Sequence, residues 1–293
     1  MLFKTISLAL LVVSAQAAPL PQMSNGINVQ GNRGGSTSST TAIISGNAAG
    51  RSMVNSISTT GQTAGSTSVR QSITGNEAGL GMINSLVSSN NRASTGSAIL
   101  SSAITSNKAF NGNMVNSVRQ NGNTATLDLV QSASASNNAA AGSMSNVLTQ
   151  TANWGSRDNI NVGTISGNMA TVNQLNRVSI TGNHGTNVQR NKCNITTNGA
   201  NGAQTNDCDV SYNDPIYQLN SANIQSNFAD TQTNRVSMNG NFGSAVQDNV
   251  AMIRGNEALS RMSNSIGMTG NAVNVGGRQT INVGISDNVQ VRP

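Results

Sequence analysis

The amino-acid sequence predicts an all-β chain folded as a single parallel β-solenoid. Three observations predict it. A short block recurs along most of the 293 residues, at a mean spacing of about 15, and self-similarity at a fixed period is the signature of a stacked array. Within the block apolar and polar residues alternate at a period of two, as in Val178-x-Ile180, Val236-x-Met238 and Ile266-x-Met268. That is strand behaviour, and no helical period fits. Only 2% of residues are aromatic and 9% are charged, against about 25% charged in an ordinary domain. Such a chain lacks the large side chains that fill a globular core. Four prolines and a regular period also set it apart from a disordered segment.

The block is plain in Cys193-Asn194-Ile195-Thr196-Thr197-Asn198-Gly199-Ala200, preceded by Val178-Ser179-Ile180-Thr181-Gly182-Asn183-His184-Gly185 and followed by Cys208-Asp209-Val210-Ser211-Tyr212-Asn213. It reads apolar, polar, apolar, Ser/Thr, Gly, Asn, any residue, Ala or Gly. With the amide as anchor, copies run through Asn32, Asn47, Gln62, Asn76, Asn90, Asn107, Asn123, Asn138, Asn153, Asn168, Asn183, Asn198, Asn213, Asn227, Asn241, Asn256 and Asn271, with a degenerate copy near Asn288. Gly-Asn is turn chemistry, because both residues accept positive φ. A second amide follows seven to nine residues on, as at Asn55, Asn84, Asn116, Gln131, Asn146, Asn161, Asn176, Asn191, Asn206, Asn249 and Asn264. One coil per repeat gives about 17 coils and, at about 4.8 Å per coil, a rod of roughly 80 Å. Asn then stacks on Asn, and each amide can donate to the next. Val, Ile, Met, Ala and Ser suffice to fill an interior this narrow.

In chain order, residues 1–17 read as an export signal. Lys4 supplies the charge, Ile6 to Val13 is an apolar run too short to span a bilayer, and Ala15-Gln16-Ala17 fits a small-residue cleavage site. Residues 18–41 read as a frayed N-terminal cap, because Gly34 to Thr41 is Gly/Ser/Thr-rich. Residues 42–293 are the repeat domain. Asp214-Pro215-Ile216-Tyr217 interrupts the pattern, and Pro cannot donate to a ladder, so a bulge is expected there. Trp154 and Tyr212 flank anchors and should be exposed.

Cys193 and Cys208 are one period apart at equivalent offsets. With one coil per repeat they lie one above the other, about 4.8 Å apart and within disulfide reach. With two repeats per coil they face each other across the rod. A bridge suits an exported chain.

Several chemistries lack their residues. Net charge is +6, but the basic residues are dispersed and no aromatic residues interleave them, which argues against nucleic acid. One His cannot complete a zinc site. No Asp recurs as a calcium-binding repeat requires. His184, in Gly182-Asn183-His184-Gly185, and the pair Asp207 and Asp209 are the nearest approach to acid–base catalysis. Neither has partners to assign, so no enzyme activity and no cofactor are expected. Chance would give on the order of ten Asn-x-Ser/Thr sequons. Only Asn194-Ile195-Thr196 occurs.

The repeat resembles the curli-like, amyloid-forming surface proteins. Those are also exported, poor in aromatics and built on Gly, Asn and Ala; Gly75-Asn76-Glu77-Ala78 and Gly255-Asn256-Glu257-Ala258 match part of their block. That resemblance implies an extracellular structural or adhesive role in a cell wall or matrix, with a wall or matrix polymer as a partner. Weakly capped strand edges at both ends and the Asn ladders predict end-to-end self-association into filaments, and no stretch outside the signal is apolar enough to enter a membrane. A secondary resemblance is to insect antifreeze β-solenoids with a Thr-x-Thr face. The matching slots here are Ser72/Thr74, Thr149/Thr151, Thr164/Ser166 and Ser179/Thr181, and what they imply is ice binding.

Overall fold

The computed structural model describes residues 6–7, 11–13, 22–243, 245–273 and 277–291. The chain is a parallel β-solenoid, with no helix among those residues. Two repeats, however, close one coil. Ser66–Thr74 runs along a front sheet and ends at anchor Asn76; Glu77–Ala78 and Met82–Ser89 then run along a back sheet to Asn91; Arg92–Ala93 and Ala98–Thr105 return to the front. Successive strands of a sheet are therefore two repeats apart, and Met82 lies between Met53 and Met114. The described residues form nine coils instead of about 17, and a stack of roughly 40 Å instead of 80. The reason is local. The long strands alternate without a break for eight or nine residues, so the chain turns only at the anchors and a coil has two sides.

The turn residue is the one before the anchor. Gly46, Gly75, Gly167 and Gly182 have φ between 60° and 66°. Asn90, Ser106, Thr197 and Tyr212 hold the same place with φ of 55–57°. The anchor of that repeat is accordingly Asn91, and Asn90 takes the position of the turn glycine.

Inward residues stack in columns. On the front sheet Ile44, Ile73, Ile104, Ala135, Ile165, Ile195, Ile224 and Ile253 form one column, all fully buried. On the back sheet Met53, Met82, Met114 and Met144 form another beside the alanines of the short strands. Like side chains at one coil spacing pack with few voids, and the two sheets meet closely enough to need no aromatic filler.

Asp214–Gln225 carries the expected irregularity. Gly185 pairs with Pro215 and Val188 with Tyr217, so Thr186 and Asn187 together oppose Ile216. At the N-terminal end Gln22–Gln30 pairs along its whole length with Ser52–Thr60. The described part of segment 18–41 is thus a complete coil edge, where fraying was expected. Ile6–Ser7 and Leu11–Val13 lie parallel against Ser38–Ser39 and Ala42–Ile44. Lys4, the cleavage site at Ala15-Gln16-Ala17, Arg292 and Pro293 lie outside the described residues.

Candidate functional surfaces

The anchors form two corner ladders, one along each edge of the rod. The first runs Asn47, Asn76, Asn107, Asn138, Asn168, Asn198, Asn227, Asn256 and Asn288, with each Nδ2 donating to the next Oδ1 at 2.9–3.1 Å. The second runs Gln62, Asn91, Asn123, Asn153, Asn183, Asn213, Asn241 and Asn271. Each anchor's backbone N–H bonds the same Oδ1, as Asn76 N–H does to Asn107 at 3.1 Å. The second Nδ2 hydrogen reaches a core carbonyl, as Asn107 does to Ile73. Asn thus seals a corner whose backbone groups would otherwise be unpaired. Its reach and its combined donor and acceptor explain why Ser or Thr does not replace it.

The second amides divide between the sheets. A back-sheet ladder runs Asn25, Asn55, Asn84, Asn116, Asn146, Asn176, Asn206, Asn234 and Asn264 at 2.8–2.9 Å. A shorter front-sheet ladder runs Asn161, Asn191, Asn220 and Asn249. It stops where Ile281 takes the next place, and Asn249 Nδ2 is left unpaired.

The single Ser/Thr face expected from the sequence is two faces. Ser72, Thr74, Thr164 and Ser166 point outward from the front sheet; Thr149, Thr151, Ser179 and Thr181 point outward from the back sheet. Alternate repeats face opposite ways because each coil uses two. On the front face Ser45, Thr74, Thr105, Ser136, Ser166 and Thr196 form one unbroken row, with Thr105 Oγ1 donating to Thr74 Oγ1 at 3.0 Å. Gln225 and Arg254 end it.

Cys193 and Cys208 are joined, with their Cα atoms 6.0 Å apart. Cys193 belongs to the front sheet and Cys208 to the back, so the bridge crosses the rod within one coil.

The residues nearest to catalysis are otherwise engaged. His184 meets Trp154 edge-on at 5.1 Å between ring centroids. Asp207 accepts from Arg177 Nε at 3.2 Å, and Asp209 accepts from Ser211 Oγ. Asp128 holds Arg157 in a two-point ion pair; its hydrogen bond, aided by its charge, raises the guanidinium pKa. Among the described residues no three His, Cys, Asp or Glu side chains gather as metal ligands would. Trp154 and Tyr212 are 52% and 70% exposed and stand singly on the second corner. Asn194, the sequon residue, is half-buried on the front face, where its Oδ1 accepts from Asn223 Nδ2 at 3.2 Å.

The two ends of the stack differ from its sides. At the C-terminal end of the described stack Ile281, Val283 and Ile285 occupy inward columns and are 53%, 50% and 50% exposed, because no further described coil covers them. The pattern alone does not reveal this, since these residues have the period of any other repeat; only their place in the stack exposes them. Comparison with protein-family models, curated proteins and solved structures finds no match to this chain.

Proposed function

We propose that the chain is an exported, non-enzymatic structural protein of the cell surface, wall or extracellular matrix that works by self-assembly. The observation that carries this reading is the uncovered core at the C-terminal end. A solenoid strand edge with open backbone groups templates another strand, and natural rods block that edge with atypical polar caps. Here the last front-sheet strand, Arg278–Ser286, instead presents Ile281, Val283 and Ile285. Stacked amides and unbroken parallel pairing support the same reading, since both continue from copy to copy without new chemistry. The across-rod disulfide suits an oxidising compartment. Sedimentation velocity and electron microscopy of the purified chain test the reading: species growing in length with time are expected, and a monomer persisting for days at high concentration defeats it.

A second reading, ice binding, is favoured by one observation. The front row from Ser45 to Thr196 is regular at one coil spacing on a parallel sheet. A thermal-hysteresis assay on the monomer tests it, and no depression of the freezing point beyond the colligative value excludes it.

A further inference from the structure

The columns of the rod have a direction, and its two ends are complementary. In the back sheet the inward residues of the first strand are Met23, Asn25, Ile27 and Val29. Those of the last are Met262, Asn264, Ile266 and Met268. The leading column changes to Gln174, Gln204 and Gln232 in the coils between and returns to Met only at Met262. On the back sheet the final strand therefore matches the first strand better than it matches its own neighbour. Placed on the first coil, Met262 meets Met23, Asn264 meets Asn25 and Ile266 meets Ile27. On the front sheet, Ile285 meets the column headed by Ile44.

Hydrogen bonding fixes the direction. In the asparagine ladders the backbone N–H of a corner rung, and the Nδ2 of nearly every rung, donate to the Oδ1 of the rung nearer the C-terminus, so these ladders point their donors toward the C-terminal end, while the core glutamine pairs donate the other way. In the back-sheet ladder Asn264, with no further rung, turns its Nδ2 to Met262 Sδ at 3.3 Å. Asn25 heads the same ladder, and no described rung donates to it. A donor end meets an acceptor end only when copies point the same way. Charge agrees. The N-terminal coils carry Arg33, Arg51, Arg70, Arg92, Lys108 and Arg119 against Glu77 alone, whereas beyond residue 127 acidic and basic residues balance. Two N-terminal ends brought together would repel.

The N-terminal edge also accepts a parallel strand in register. Leu11–Val13 lies on it against Ala42–Ile44, in the place a preceding coil would take. Removal of residues 1–17 on export would leave that edge bare.

From these observations we propose that the C-terminal coil of one copy seats the first coil of a second copy, head to tail, so that the Met, Asn and Ile columns run unbroken through the joint. The proposal rests on the self-assembly reading and adds the polarity of the joint and the strands that make it: Glu257–Thr269 and Arg278–Ser286 on one side, Gln22–Gln30 and Thr37–Ser45 on the other.

The test uses exported full-length chains with one end blocked at a time. Val283→Lys places a charge on the C-terminal face, where the side chain is already half exposed. Met23→Lys does the same at the N-terminal face. Ile281→Lys and Val29→Lys serve as replacements should either fail to give the β-type circular dichroism of the parent. Mass is read by sedimentation velocity. Each variant alone should remain at the monomer mass, while an equimolar mixture should stop at twice that mass, because one compatible joint remains. Dimers of Met23→Lys alone, or of Val283→Lys alone, would show like ends joining and overturn the polarity while leaving self-assembly intact. Filaments from either variant alone would place the joint elsewhere on the rod. A parent chain that stays monomeric would remove the self-assembly reading itself.

Discussion

Gly163 lies directly opposite Val178 across the rod, so close that a methyl group on Gly163 would come within 2.4 Å of Val178 Cγ1. The two share the paired columns that one coil later hold Cys193 and Cys208. Apart from Gln71 and the bridged Cys193, the buried front-sheet residues of this column are small: Ala42, Ser102, Ala133, Gly163, Ala222 and Ala251. Their partners are Ile57, Leu86, Val118, Leu148 and Val178. Small against large sets the sheet separation, and Gly163 is where it leaves no room. Gly163→Ala should therefore destabilise the rod by about 1–3 kcal/mol, the usual penalty of overpacking. Urea unfolding followed by circular dichroism measures it, and an unchanged midpoint would mean the sheets can part locally without penalty.

The same pairing makes the disulfide a tie between sheets rather than between coils. It closes a 15-residue loop, and in the chain-entropy account a loop of that length contributes about 3 kcal/mol. The double variant Cys193→Ala with Cys208→Val should unfold at correspondingly lower urea while keeping the parent β-type spectrum, because alanine already stands in the first column at Ala133 and Ala222 and valine in the second at Val178 and Val236. A loss of the β spectrum in buffer would show instead that the bridge is required for folding.

At the corners, Thr197 carries φ of 56° in the position that is glycine in most repeats. A β-branched residue in the left-handed region is strained by roughly 1–2 kcal/mol. Thr197→Gly should recover about 1 kcal/mol, the gain being reduced by the greater freedom of glycine in the unfolded chain. A lower thermal midpoint for the variant would count against strain at this corner.

Much of this arrangement was legible beforehand. The fold class, the anchor ladders, the exposed Trp154 and Tyr212 and the irregularity at Pro215 follow from alternation, Gly-Asn turns and the missing proline donor. The coil size differs from the one coil per repeat that the spacing predicts. The two sheets carry nearly the same block, so the self-similarity at one repeat hid the true period of two. The signal that separates them lies in the core: Met23, Met53, Met82, Met114 and Met144 occur in every second repeat only. Asn91, in place of the expected Asn90, is the anchor for a related reason. In Asn90-Asn91 either amide can anchor, and the requirement for positive φ before the anchor decides between them. The division of the Ser/Thr residues between two faces follows from the same doubled period.

Gln131 provides the sharpest test of the ladder rule. It sits in register between Leu100 and Asn161, where an apolar column becomes the front-sheet ladder. Both polar atoms of its amide are buried without a partner, and so is Asn161 Oδ1 above it. Further along, Asn161 Nδ2 donates to Asn191 at 3.0 Å and Asn191 to Asn220 at 2.9 Å. Gln is one methylene too long to copy that geometry. Gln131→Asn brings Nδ2 to the height of the Asn161 oxygen and adds a rung. Satisfying a buried amide recovers about 1–3 kcal/mol, while the lost methylene offsets about 0.8 kcal/mol. Gln131→Leu, copying Leu100, removes two unpaired atoms but leaves Asn161 Oδ1 unsatisfied. The expected order of urea midpoints is therefore Asn first, Leu second and the parent Gln last, with unchanged denaturant slopes. If Gln131→Asn falls below Gln131→Leu, apolar packing outweighs the amide ladder at this site, and the stacked asparagines cannot be what fixes the register of the front sheet.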